Sequence, residues 1–229
     1  MPFPIDAPDF NAIVPELAGA AQEVLGRATP TQRPWLVHTL GGPGSGKTRF
    51  VTALNAALSG QKPLLLAFDR LMEVIPAYKA TPDRAHAFAD HEMAARMAGY
   101  ALLREAMAKG CHIIFEHSGA RADHIALLRF AKEEAGYHVA VVHLHVTPAT
   151  AHHRLSVRQE KEGRFTPPHY VEERTAILDE LAPLYRDVAD HWLDIDNDAA
   201  DTDLTPAVRA LCNHLADLDT GKDGSGGGI

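Results

Sequence analysis

Five short apolar runs recur along the chain, and between them apolar residues return every three or four positions. The runs are Trp35-Leu36-Val37-His38-Thr39-Leu40, Pro63-Leu64-Leu65-Leu66-Ala67-Phe68, Cys111-His112-Ile113-Ile114-Phe115-Glu116, His138 to Val146, and Trp192-Leu193-Asp194-Ile195-Asp196. The fully apolar ones, short and without alternation, fit strands buried on both faces of a parallel sheet. The intervening pattern predicts helices over Ala12–Leu25, from the glycine loop to about Leu58, over Asp83–Lys109 and Ala120–Ala135, from Pro148 to Glu162, from Thr166-Pro167 to about Val188, and from Pro206 to Leu218. Gly26, Gly60, Gly110, Gly136 and Gly163 stand where those helices should stop. Thr147-Pro148 and Thr166-Pro167 each read as an N-cap followed by a first helical residue. Pro183 should kink its helix. Met93, Met97, Tyr100, Leu103 and Met107 fall on one stripe, which reads as core. Residues 1–11 and 71–82 carry prolines and read as irregular, and the Gly/Ser-rich tail from Gly221 to Ile229 reads as flexible.

Strands alternating with helices predict an α/β fold of three layers, with a mainly parallel five-stranded sheet. Its domain would span 35–218, with an N-terminal helical extension over 1–34 and a flexible tail over 219–229. In such sheets ligands sit beyond the carboxyl ends of the strands. Three pieces of sequence converge there: the glycine-rich turn after the first run, Asp69 after the second and Glu116 after the third.

The turn is Gly41-Gly42-Pro43-Gly44-Ser45-Gly46-Lys47-Thr48, which fits G-x-x-x-x-G-K-[ST], between a strand and a helix. Glycines allow successive N–H groups to face a phosphate, and the following helix adds its positive end. Lys47 would reach the β- and γ-phosphates of ATP, and Thr48 would hold Mg²⁺. Asp69 is the candidate base for an acceptor hydroxyl, although a strand-end Asp is also a common helix cap. Glu116 and Ser118 would lie on the acceptor side. Arg154 and Arg158 share a helix face, and Arg164 follows the Gly163 stop, so a helical lid could close cations over a triphosphate. The plainer reading of these arginines is a solvated face paired with Glu160 and Glu162.

Composition narrows the classes. Lys+Arg 22 against Asp+Glu 30 gives a net charge of −8, unsuited to wrapping nucleic acid. No run of 18 apolar residues is present, and Met1 to Asp6 lacks a basic, apolar leader, so no membrane span and a cytoplasmic location are expected. Two cysteines, Cys111 and Cys212, make no disulfide framework and read as buried thiols. Among 14 histidines, His143 and His145 share a strand face while the adjacent His152 and His153 cannot share a helix face. No zinc-type spacing completes a ligand set. An N-K-x-D guanine signature is missing, and the third strand does not end in Asp-Glu as motor ATPases do. A small-molecule kinase fits best; a kinase of another acceptor (nucleoside, sugar or antibiotic) and an ATP-switched interaction module are the alternatives.

The ordered set of motifs resembles the zeta-toxin family of P-loop kinases. It comprises the 41–48 turn, Phe68-Asp69, Phe115-Glu116-His117-Ser118-Gly119, Ser156-Val157-Arg158-Gln159-Glu160 and Gly163-Arg164-Phe165-Thr166-Pro167, across residues 35–198. The resemblance implies an ATP- and Mg²⁺-dependent kinase of UDP-N-acetylglucosamine, often neutralised by a small antitoxin protein. It implies Asp69 as base, Lys47, Arg158 and Arg164 on the ATP phosphates, Thr48 on Mg²⁺, and Glu116 and Ser118 toward the acceptor. Two departures stand out. Where the family has Glu-Gly-Thr-Gly-Arg, this chain has Glu116-His117-Ser118-Gly119-Ala120 with Arg121 one step later. Tyr100 occupies the place of a family acid that contacts the sugar; Glu92 and Glu105 are the nearby acids.

Overall fold

The computed structural model describes residues 2–8, 15–162 and 166–220. The strands are β1 (Trp35–Leu40), β2 (Leu64–Ala67), β3 (Ile113–Glu116), β4 (His138–His145) and β5 (His191–Asp196), and the helices are α1 (Pro15–Arg27), α2 (Lys47–Ala57), α3 (Phe68–Met72), α4 (Pro76–Ala80), α5 (Arg84–Ala108), α6 (Asp123–Glu133), α7 (Pro148–Glu162), α8 (Tyr170–Val188) and α9 (Thr205–Thr220). All strand pairs are parallel, in the order β2-β3-β1-β4-β5. The predicted α/β fold with a five-stranded parallel sheet is the fold observed.

Alternation along β1 explains the layers. Leu36 and Leu40 point into one core with residues of α1, α3, α5, α6 and α8, whereas Trp35 and Val37 point into another with Phe50, Val51 and Leu54 of α2 and Leu211 and Leu215 of α9. Both faces are covered, so every residue of β1 is buried. The N-terminal segment joins the first core through Ile5, Leu17, Ala21 and Leu25. Arg104 of α5 donates to the carbonyls of Ala7 and Pro8. No helix among the described residues is long and apolar enough to cross a membrane.

Several boundaries depart from the sequence reading. Residues 71–82 are not irregular. Phe68, Leu71 and Met72 bury their side chains and wind the chain into α3, and Pro76 opens α4 at its first turn. Asp69 therefore lies in the first turn of a helix rather than at a strand end. The helix expected from Thr166 begins at Tyr170, because two successive prolines precede it. The helix expected from Ala120 begins at Asp123, after Gly119 at a left-handed φ of 75°. Gly26 lies within α1 and does not stop it. Met93 is 59% exposed and stands off the buried face of α5, which carries Ala87, Ala95, Ala98, Tyr100 and Leu103. Cys111 is buried as expected, but Cys212 is only half-buried. Residues 221–229, expected to be flexible, lie outside the described residues, as does the Gly163 stop.

Candidate active site

The glycine-rich turn runs from the carboxyl end of central β1 into α2. Gly41, Gly44 and Gly46 adopt φ of 146°, 77° and 92°, backbone that side chains other than glycine rarely take. Space forbids a side chain too. A Cβ on Gly46 would sit 2.3 Å from Nδ2 of Asn197, and one on Gly44 would press on Ala151 at 3.0 Å. The turn is thus held by neighbours. Gly41 N donates to Ser118 O at 2.9 Å, tying it to the β3–α6 connection. Arg154 donates to Gly44 O at 3.2 Å and to Ala199 O at 2.9 Å. Asn197, just past β5, donates to Ser45 O at 2.8 Å.

Asn197 carries no motif, and sequence reasoning missed it. It is 1% exposed, so its amide is a buried strut beneath the turn. Asn197→Ala leaves Ser45 O without that donor, a cost of about 1–3 kcal/mol. A Tm lower by roughly 5 °C is expected. A thermal melt checks it, and an unchanged Tm would show that the strut is dispensable.

Over the turn opens a cavity of about 640 Å³. It gathers Lys47 and Thr48 from α2, Asp69 from α3, Glu116 from the end of β3, Ser118 beyond it and Arg158 from α7. Of the turn itself, Pro43, Gly44 and Gly46 line this cavity with Lys47 and Thr48; Gly41 and Gly42 line a second cavity behind it, and Ser45 is buried. Arg164 lies outside the described residues. Arg154 reaches the cavity rim but spends its guanidinium on the Gly44 and Ala199 carbonyls, a brace more than a free cation.

The polar groups face one another closely. The Lys47 ammonium donates to the Gly41 and Gly42 carbonyls, each at 2.8 Å. Burial lowers its pKa to about 8; Glu116 and Asp69 oppose that shift and Arg158 adds to it. Thr48 Oγ1 donates to Glu116 Oε1. A hydroxyl beside a carboxylate at the foot of the turn is a pair of hard oxygen donors, which fits Mg²⁺. Arg158 Nη2 donates to Thr166 Oγ1, joining α7 to the start of the α8 segment.

Farther along the cavity lie Tyr78, Phe88, Glu92, Arg96, Arg121 and Arg174. Glu92 pairs with Arg96, and Arg121 with Asp123. Glu105 is not among the lining residues, and neither is Tyr100. The Tyr100 hydroxyl lies 2.8 Å from His124 Nε2, in a buried cluster with His38, whose Nε2 is 3.2 Å from His124 Nδ1. Burial lowers the pKa of His38 to about 3 and holds His124 and His117 well below the ordinary histidine value, so these rings are neutral. Only His117 of that group reaches the cavity.

Comparison with known proteins now adds to the geometry. The zeta toxin family model matches residues 21–190. Among solved structures, one from the PezAT chromosomal toxin-antitoxin system of Streptococcus pneumoniae has a TM-score of 0.63 at 14% identity, covering 90% of this chain and 88% of that one. The AvrRxo1-ORF1:-ORF2 structure with ATP has a TM-score of 0.59 at 16% identity, covering 82% of this chain and 65% of that one. A gluconokinase from Sinorhizobium meliloti has a TM-score of 0.50 at 16% identity, covering 83% and 97%. No curated protein matches the sequence. At these identities the structures speak for a shared P-loop kinase-like fold. The family model covers most of the chain, and with the geometry above it leads to one conclusion: this chain belongs to the zeta toxin family.

Proposed function

We propose that the protein is an ATP-dependent kinase that moves the γ-phosphate to a hydroxyl of a nucleotide sugar of the UDP-N-acetylglucosamine type. One observation carries this: Lys47, Thr48, Asp69, Glu116 and Arg158, contributed by four elements and their ends, face a single cavity. Its volume, about 640 Å³, suits a triphosphate and an acceptor together.

The residues divide the work by position. The turn's N–H groups and the α2 N-terminus hold the anionic phosphates. Lys47, with Arg158 and Arg164, neutralises charge on the phosphoryl being transferred. Thr48 and Glu116 would hold Mg²⁺, which supplies Lewis-acid neutralisation of the β- and γ-oxygens. Asp69 accepts the proton of the acceptor hydroxyl as the oxygen attacks phosphorus. Ser118 orients the acceptor. Arg96, Arg121 and Arg174 are cations suited to a diphosphate-bearing acceptor, and Tyr78 and Phe88 offer ring faces to a base or sugar.

Because Tyr100 is buried against His124, no carboxylate at that position can bind the sugar. Glu92 lines the cavity and takes that part. The same observation favours a second reading, a kinase of a different phosphorylated acceptor. Incubating the protein with ATP, Mg²⁺ and a cellular metabolite extract, followed by mass spectrometry, separates the two. UDP-N-acetylglucosamine gaining one phosphate supports the first reading, and another metabolite gaining it supports the second. ATP bound without any phosphorylated product points to a nucleotide-switched binding module. The likeness to a toxin-antitoxin system supports a small antitoxin protein as partner.

Lys47 yields a pH signature. Its pKa of about 8 means the free protein loses this charge as pH rises through that value, whereas bound phosphates favour the protonated form. ATP binding at about pH 8.5 should therefore take up a fraction of a proton, and affinity should fall as pH rises. Calorimetry in two buffers of different ionisation enthalpy measures the uptake. Zero uptake with constant affinity from about pH 7 to about pH 9 would contradict this role for Lys47.

A further inference from the structure

A second constellation lies on the far side of the glycine turn, at the carboxyl ends of β4 and β5. His143 and His145 are two apart on β4, so their rings share a face, and their centroids are 3.8 Å apart. Strand register sets Asp194 of β5 directly beside His143. Asp194 Oδ1 is 2.9 Å from His145 Nε2 and 3.5 Å from His143 Nδ1. All three donor atoms lie within 4.8 Å of one another.

We propose that His143, His145 and Asp194 form a binding site for a divalent transition-metal ion of the zinc class, distinct from the Mg²⁺ of the phosphate site. Ligands about 2.0–2.2 Å from a tetrahedral ion stand roughly 3.4 Å apart, and the 2.9 and 3.5 Å separations bracket that spacing. Two imidazoles and one carboxylate are a donor set such ions favour over Mg²⁺ or Ca²⁺.

The carboxylate is oriented for the task. Its other oxygen, Oδ2, accepts from Trp192 Nε1 at 2.7 Å and from Arg186 Nη2 at 2.5 Å, which turns Oδ1 toward the imidazoles. Outer partners of this kind fix a ligand before the ion arrives.

The two rings also line a cavity of about 370 Å³ with Thr147, Asp179, Asp196 and Asp198. Asp194 is not among its lining residues, so the cavity meets the site from the imidazole side and offers a fourth position to water or to Asp179 there. The surrounding carboxylates offset the charge of the ion. Gly41 and Gly42 also line this cavity, so the site would pin β4 to β5 beside the phosphate turn.

The test uses the full chain, stripped with a chelator and free of nucleotide, with Co²⁺ as the optical probe. One equivalent should bind with the strong visible bands of four-coordinate cobalt, and Zn²⁺ should displace it. Zn²⁺ at about 100 times its Kd should raise Tm by roughly 5–10 °C. His145→Gln and Asp194→Asn should lose both signals. Trp192→Phe should weaken binding about 10-fold or more through loss of the outer hydrogen bond. His214→Gln is the control; it changes the separate His138–His214 pair and should bind like wild type. His145 is half exposed, so its substitution leaves the core intact, and far-UV circular dichroism verifies folding. The proposal is overturned if the wild-type chain shows no saturable cobalt spectrum, or if folded His145→Gln binds with unchanged stoichiometry and spectrum.

Discussion

Asp69→Asn is expected to lower kcat for phosphoryl transfer by about 10²–10⁴-fold while ATP binding stays close to wild type. The substitution keeps the shape of the side chain and removes its proton-accepting charge. The backbone there is firmly placed. Phe68 packs its ring 5.0 Å from Tyr100 and 5.6 Å from Phe115, centroid to centroid, and lies against Gly99, where a Cβ would meet it at 2.3 Å. Leu71 and Met72, three and four positions after Phe68, bury the same face of α3, and Asp69 O accepts from Glu73 N at 3.2 Å. Any loss of rate can therefore be assigned to the carboxylate and not to a displaced helix. Steady-state rates with a saturating acceptor, alongside fluorescent-nucleotide titration, give the split. A kcat within about threefold of wild type would remove Asp69 from proton transfer, since even the weakest general base contributes about 10²-fold.

Arg158→Ala should cost a comparable or greater factor, about 10³–10⁵ in kcat, as expected when a guanidinium that stabilises the transferring phosphoryl is lost. Lys at this position should rescue little, because an ammonium cannot reproduce the planar two-pronged donor. A second measurement separates this role from a structural one. Arg158 is among the groups that hold the Lys47 pKa down. Its removal should shift the proton uptake on ATP binding toward higher pH. A variant with reduced kcat but an unmoved uptake profile would place Arg158 too far from Lys47 to act on the same phosphates.

Much of this arrangement was legible from side-chain pattern. Strands β1 and β3 are buried on both faces, so their mainly apolar runs marked them in spite of His38, Thr39 and His112, and the glycine motif placed Lys47 and Thr48 at the turn beforehand. The misses have a common cause. Phe68–Met72 is too short to show helical periodicity, and it winds because α5 offers a surface for its apolar side chains. Met93 matched the stripe of α5 by spacing, but its side chain is 59% exposed although Ala87, earlier in the same helix, is fully buried. Asn197 and Asp194 gain their meaning from residues distant in the chain, Ser45 of the glycine turn and His143 of β4, and only turn geometry and strand register bring those pairs together. The cavity's far lining, Tyr78, Phe88, Arg96 and Arg174, was hidden for the same reason; it is assembled from three helices, α4, α5 and α8.

The link between Ser45 and Asn197 spans 152 positions of chain. A ribosome finishes the nucleotide-gripping turn early, yet the amide that props it emerges only after the last strand. Through most of translation, which proceeds at about 5–20 residues per second, the nascent polypeptide carries a recognisable motif without a rigid cradle. Fragments ending before residue 197 should lack the proposed activity for the same reason, and α9, which covers Trp35 and Val37, is made later still.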